Sequence, residues 1–222
     1  MTNRVDEHRR LPLPAVHLTV IARAPVAGRV KTRLSPACTP VEAAEVAAAA
    51  LDDTLDAVDA AFAASLEGSV RRVLLFDGPP GRFMRSGYEL AAQRGDGLDE
   101  RLANGFADLG PGLIIAMDAP SGGRWLNDAI RALRAGYDCI GLTTDGGYWL
   151  IGLVDPDPNA IIGVPMSQSN SGLAQLSRLH AGGRPVRMLP MIRDLDTFDD
   201  LRAACDDRGR LGTTARRLLA TR

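Results

Sequence analysis

Residues 16–36 read VHLTVIARAPVAGRVKTRLSP, an apolar run that stops abruptly in a loop holding a glycine and several cations. Val16 to Ala22 is β-branched and apolar enough for a buried strand, and Pro25 and Gly28 break it. The strand therefore delivers Arg29, Lys31 and Arg33 into the turn behind it. Outward from there the chain alternates. Thr39-Pro40-Val41-Glu42 forms a capping box with proline at the first helical position, and the alanine-rich stretch after it predicts one long helix to about Ala64. Residues 70–76 read as a strand, 98–109 as a helix with apolar residues at helical spacing, and 112–117 as a fully apolar strand closing on Asp118. A helix over about 125–135 leads to strands at 138–142 and 148–153. The turn Asp145-Gly146-Gly147 separates those strands and leaves room for a pair that is not parallel. Residues 168–180 read as a helix, 186–189 as a short strand, and Thr197 with Asp200 opens a further helix. Strands alternating with helices define an α/β sandwich around a mostly parallel sheet, and in such sheets ligands sit at the carboxyl ends of strands.

Composition sets the outer bounds. With 222 residues, 45% of them hydrophobic and 24% charged, the chain suits one globular domain. A net charge of -1 gives no overall field for a nucleic-acid backbone, so the positive groups that matter are local and suit a small anionic ligand. No apolar segment approaches the roughly 20 residues of a membrane helix. Residues 1–14 are polar and arginine-bearing without an apolar signal core, and read as a flexible tail before a domain at 15–222. A cytoplasmic protein is expected. Cys38, Cys139 and Cys205 are widely spaced without a CxxC pattern and read as packing residues. No serine, cysteine or threonine nucleophile has a histidine partner, since His8, His17 and His180 lie away from every motif, which argues against a hydrolase.

Four loops after strands carry capable groups. The first, through Arg33, is not a P-loop, because Lys31-Thr32 follows Val30 rather than glycine. Its backbone N–H groups and cations suit either a phosphate clamp or a solvated basic turn. The second, QRGDGLDERL at 93–102, has Gly95 and Gly97 ahead of a helix, allowing close approach of a ligand, with Arg101 one turn in. Its alternative role is helix capping by Asp96. The third is Asp118, placed as an oxygen ligand for a hard cation or as a cap for the turn at Ala119-Pro120. The fourth holds Asp194 and Asp196, which face one side if extended. Either suits a second metal ligand, and Asp196 equally suits an N-cap.

The ordered set IARAPVAGRVKTRLSP, GDGLDERL, MDAP, TDGGYWLIGL and RDLDTFDDL resembles a bacterial transferase family of the nucleotide-diphospho-sugar transferase (glycosyltransferase-A) fold. That family is labelled radical-SAM/selenodomain-associated, or an arsenosugar-biosynthesis glycosyltransferase. More distantly the chain resembles 2-phospholactate and molybdenum-cofactor guanylyltransferases. The resemblance implies a single-domain, Rossmann-like three-layer sandwich. It places Lys31 and Arg33 on phosphates, and Ala24, Gly28, Arg29, Gly95, Asp96 and Arg101 around the nucleotide. It makes Asp118 the principal ligand of Mg2+ or Mn2+, with Asp194 or Asp196 as second, and puts Asp145, Gly146, Gly147 and Tyr148 on the acceptor side. The chain departs from the family at Met117 and Ala119, where polar residues are usual, at Thr144 for an acid, and at Met166 for an aromatic. These changes point to altered acceptor choice or diminished activity.

Lys31, Arg33 and a metal would supply the cations that nucleotidyl transfer from a nucleoside triphosphate needs on the phosphoryl oxygens and leaving group. In glycosyl transfer from a nucleotide-sugar the metal alone can serve. Nucleotidyl transfer to a small phosphorylated or hydroxylated acceptor is thus expected first, with Lys31, Arg33 and Asp118 as catalytic groups. Glycosyl transfer comes second, then a non-catalytic nucleotide-binding protein. A homodimer stays open. Lys31→Ala is expected to weaken nucleotide binding or turnover far more than folding.

Overall fold

The computed structural model describes residues 15–64 and 70–221; the tail read at 1–14, with His8, lies outside the described residues. In chain order the elements are β1 (Val16–Arg23), α1 (Pro40–Ala64), β2 (Val70–Asp77), β3 (Tyr88–Ala92), α2 (Leu98–Leu109), β4 (Gly112–Ala116), α3 (Leu126–Arg134), β5 (Asp138–Thr143), β6 (Tyr148–Leu153), α4 (Ser171–Ala181), β7 (Val186–Ile192), α5 (Phe198–Ala203) and α6 (Arg210–Ala220). The strands form one seven-stranded sheet in the order β3-β2-β1-β4-β6-β5-β7. Only β6 runs against its neighbours β4 and β5. The turn at Asp145-Gly146-Gly147 explains this, because a parallel crossover needs a dozen residues or so and a hairpin needs few.

The two faces of the sheet are covered by different helices. Leu51, Leu55 and Val58 of α1 and Leu126, Ile130 and Leu133 of α3 meet Leu18, Val20, Leu74, Leu113 and Ile115 on one face. On the other, Leu102 and Phe106 of α2 and Leu179 of α4 meet Leu75, Ile114, Ile140 and Ile151. Helix α1 is also buried along a second stripe. Ala43, Val46 and Ala50 pack with Leu201 of α5 and Leu211, Ala215 and Leu218 of α6. A helix covered on two sides needs small side chains where its neighbours approach closely, hence its alanines. The predicted capping box opens α1: the Thr39 N–H donates to Glu42 Oε2 at 2.7 Å, and the Glu42 N–H donates to Thr39 Oγ1 at 3.2 Å. Cys38 and Cys139 are buried in two of these clusters.

His17 belongs to the core. Its Nε2 lies 3.0 Å from the Gly110 carbonyl, which fixes the proton there, so the Thr19 hydroxyl donates to Nδ1 at 2.7 Å. Burial pushes its pKa down from 6.5 to about 4. Between these values the unfolded chain binds a proton that the folded one refuses, so this histidine destabilises the fold as pH falls from about 6.5 to about 4. The contribution is of the order of 3 kcal/mol. Urea titrations at pH 7 and pH 4.5 are expected to show a steeper acid loss in wild type than in His17→Gln.

Candidate active site

The loops after β1, β4, β5 and β7 converge at one edge of the sheet. Gly28 has φ +78° there, a conformation that suits glycine, and Lys31 follows at φ +48°. The backbone turns the Lys31 side chain inward. Its ammonium bonds the Asp118 carboxylate at the end of β4 and reaches Asp196 Oδ1 at 3.0 Å, while Arg33 Nη1 donates to the other Asp196 oxygen at 2.7 Å. The Lys31 side chain is only 9% exposed. Burial pulls its pKa down, but the Asp118 and Asp196 carboxylates more than offset this and hold it above the ordinary value. The ammonium stays charged.

Asp196 also faces the other way. Asp145, Asp194 and Asp196 each bring a carboxylate oxygen within 4.8 Å of the others. Asp145 is fixed by the Thr143 hydroxyl, which donates to it at 2.5 Å, and by the Gly147 N–H at 2.9 Å. Burial first, then the negative charges of Asp145, Asp196 and Asp118, push the Asp194 carboxyl up to about 7. Burial and like charge both disfavour the ionised form of this carboxyl. Asp145, which the family resemblance puts on the acceptor side, lies beside Asp194 and Asp196, and Asp118 bonds Lys31.

Three clefts open onto this edge, and Asp118 and Ser167 line all of them. A wide cleft of about 420 Å³ runs past Arg23, Gln93, Asp96, Arg101 and Tyr148. A basic cleft of about 330 Å³ is walled by Arg23, Arg29, Lys31 and Arg33. An acidic cleft of about 530 Å³ contains Asp145, Asp194, Asp196, Ser167, Gln168 and Ser169. Ala24 and Gly28 shape the loop but do not line these clefts. Arg101 acts as a brace: its Nε donates to the Gly95 carbonyl at 3.0 Å and its Nη1 to Asp77 at 3.2 Å. Gly97, not Asp96, is the N-cap of α2, which leaves the Asp96 carboxylate on the wide cleft. Ser167, at φ +58°, escaped the sequence reading. Among the described residues, Lys31 and Ser167 are the non-glycine residues with positive φ, and both lie at this edge. Such backbone strain gathers at functional sites. Met117 is a packing group, set against Val30, Ala44 and Ala47.

Gly146 has no room for a side chain. At φ +93° an added Cβ would lie 1.8 Å from the Ser169 carbonyl oxygen. Gly146→Ala must therefore part the Asp145 turn from the 167–170 segment, and a loss of about 3 kcal/mol or more is expected in urea unfolding.

The architecture is that of the nucleotide-diphospho-sugar transferase fold, a single α/β domain with its candidate site at the carboxyl edge of the sheet. The chain belongs to the family described as uncharacterized protein conserved in bacteria (DUF2064), whose sequence profile matches residues 54–168. A solved structure from Desulfovibrio desulfuricans G20, described as a candidate nucleotide-diphospho-sugar transferase, superposes with a TM-score of 0.76 at 23% identity, over 93% of this chain and 95% of that one. Rv0371c from Mycobacterium tuberculosis H37Rv gives 0.50 at 20% identity, over 87% and 100%. CMP:2-keto-3-deoxy-manno-octonic acid synthetase gives 0.50 at 14%, over 91% and 99%. At such identities the likeness is one of fold. No curated protein matches the chain.

Proposed function

We propose that the protein is a metal-dependent, nucleotide-using transferase of the cytoplasm that moves a nucleotidyl group from a nucleoside triphosphate to a small acceptor. One observation carries the reading: a basic cleft and a carboxylate cluster meet at Asp196, which bonds Lys31 and Arg33 and also lies among Asp145 and Asp194. The wide cleft suits the nucleoside, the basic cleft its phosphates, and the acidic cleft the acceptor. Three carboxylates are a fitting donor set for a hard cation, so Asp145, Asp194 and Asp196 would hold Mg2+ or Mn2+. That ion would supply positive charge to the phosphoryl oxygens. Arg29, exposed on the basic cleft, meets phosphate first; Lys31 and Arg33 then turn from Asp196 to the leaving pyrophosphate. Asp118, expected from the family resemblance to be the principal metal ligand, positions Lys31 in the free protein and is released when Lys31 turns.

The cations favour a triphosphate, because a sugar-nucleotide donor brings fewer charges to neutralise. The fold itself also carries such chemistry, since the synthetase named above was solved with CTP. Glycosyl transfer, the activity of the arsenosugar-type family, is the second reading. It is favoured by the likeness to the Desulfovibrio desulfuricans protein.

The test is a thermal-shift panel of nucleoside triphosphates and nucleotide-sugars with and without Mg2+, followed by analysis of the released phosphate. A Mg2+-dependent shift with one triphosphate, and pyrophosphate as product, is expected. A shift with a nucleotide-sugar and release of a nucleoside diphosphate would establish glycosyl transfer instead. No shift with any of them would overturn both and leave a scaffold that does not use nucleotides.

A further inference from the structure

The site is electrostatically divided, and the division bears on the acceptor. The cations of the basic cleft, Arg23, Arg29, Lys31 and Arg33, lie on β1 and the loop after it, whereas the acidic cleft holds Asp118, Asp145, Asp194 and Asp196 with Arg33 as its one cation among the lining residues. Arg33 is itself bound to Asp196 at 2.7 Å. A phosphate monoester brings a charge of about −1.5 to −2 at neutral pH. Placing it among these carboxylates, beside the phosphates of a nucleotide, costs desolvation and like-charge repulsion that the paired Arg33 does not offset, and a divalent ion held by Asp145, Asp194 and Asp196 would already be neutralised by them and shared with the nucleotide.

The opposite wall offers something else. Ser167, Gln168 and Ser169 present exposed hydroxyl and amide groups that no described residue engages. Their backbone is held in place, with the Gln168 N–H donating to the buried Ser171 hydroxyl at 2.9 Å and the Ser169 carbonyl seated on Gly146. Tyr148 closes one end with its hydroxyl turned to Met166 Sδ at 3.4 Å. A neighbouring cleft of about 400 Å³ behind Asp118 contains Arg124 and Arg193, but also Asp194, Asp200 and Asp207, and Arg193 already faces Asp200 at 3.4 Å. Counting Asp118, four aspartates line it against those two arginines.

We propose that the acceptor is a neutral polyhydroxylated molecule of sugar or polyol size, bound in the acidic cleft against Ser167, Gln168 and Ser169. This rests on the transferase reading and removes its phosphorylated-acceptor branch. A hydroxyl oxygen of the acceptor forms the new bond to the α-phosphorus. The bond from that phosphorus to the bridging oxygen breaks, pyrophosphate leaves with the electron pair, and the hydroxyl proton passes to water. In glycosyl transfer the same hydroxyl attacks the anomeric carbon and the nucleoside diphosphate leaves, so the acceptor class holds for either reaction.

Saturation-transfer NMR tests this without nucleotide. Ribose and glucose would be compared with ribose 5-phosphate and glucose 6-phosphate at equal concentration, with Mg2+ present. At least one neutral sugar is expected to bind ten times or more tightly than its phosphate ester. Its signal should vanish in Gln168→Ala/Ser169→Ala, whose unchanged unliganded melting temperature shows that it is folded. The proposal is overturned if the esters bind as well or better, if neither neutral sugar gives a signal, or if the double variant leaves the signal intact. Failure of the transferase reading is seen separately, as a missing nucleotide shift.

Discussion

Lys31→Ala is expected to reduce turnover at saturating nucleotide by about 100-fold or more, as removal of a charge-stabilising donor commonly does. It should also tighten Mn2+ binding in the absence of nucleotide. The two effects have one cause. In the free protein the Lys31 ammonium and the Arg33 guanidinium occupy both oxygens of Asp196, the carboxylate that links the basic loop to the acidic cluster. Anything that binds Asp196 must therefore compete with them. Taking Lys31 away frees Asp118 and one oxygen of Asp196, and a divalent cation gains what the ammonium held. Folding is also affected, beside the larger loss of binding or turnover expected from sequence. A side chain only 9% exposed that bonds two carboxylates leaves unpaired charge behind when it is removed. Breaking such a pair costs about 3–5 kcal/mol when fully buried, and Asp118 and Asp196 are partly open to water, so about 2 kcal/mol is expected. Urea unfolding with and without Mn2+ checks both effects, because the metal should restore most of the loss. An unchanged rate together with unchanged Mn2+ affinity would reduce the loop to a solvated turn.

Much of this was written in the sequence, for identifiable reasons. β4 and β6 are apolar along their length, and β1 and β2 carry apolar runs at 20–22 and 73–76, because both faces of the sheet are covered, and such runs cannot be mistaken for loops. The capping boxes at Thr39 and Thr197 report themselves through residue types at fixed spacing. Two elements were not legible. β3, Tyr-Glu-Leu-Ala-Ala, lies at the sheet edge with Glu89 and Leu90 exposed, and four of its residues favour helix as readily as strand. α6 buries only Leu211, Gly212, Ala215 and Leu218, too small a stripe to stand out among arginines and threonines. The candidate site was legible residue by residue but not in its pairings. Spacing along the chain shows that Asp118 ends a strand; it cannot show that Lys31, 87 positions away, reaches back to it. Ser167 gave no signal, because a positive φ on serine has no mark in the sequence.

Metal affinity is expected to fall about tenfold for each pH unit below about 7, and to lose that dependence in Asp194→Asn, which should also lose metal-dependent turnover by about 1,000-fold. The Asp194 carboxyl is pushed up to about 7 by burial and by the charges of Asp145, Asp196 and Asp118. A cation that needs its carboxylate must then displace a proton at any lower pH. The same shift acts on stability with a definite sign. Between its ordinary value near 4 and its folded value, Asp194 holds a proton in the native state that the unfolded chain has released, so it destabilises the fold as pH rises through this window. His17 acts oppositely over nearly the same range, stabilising the fold as pH rises from about 4 to 6.5. Without metal the two contributions oppose each other, and the stability profile between pH 4.5 and 6.5 is flattened. Saturating Mg2+ keeps Asp194 ionised and removes its share, which leaves the histidine slope exposed. Urea midpoints across that range should therefore rise with pH more steeply with Mg2+ than without. Asp194→Asn alone should reproduce the steep profile and be insensitive to the metal. Parallel wild-type profiles with and without Mg2+ would mean that the carboxylate cluster does not hold the ion.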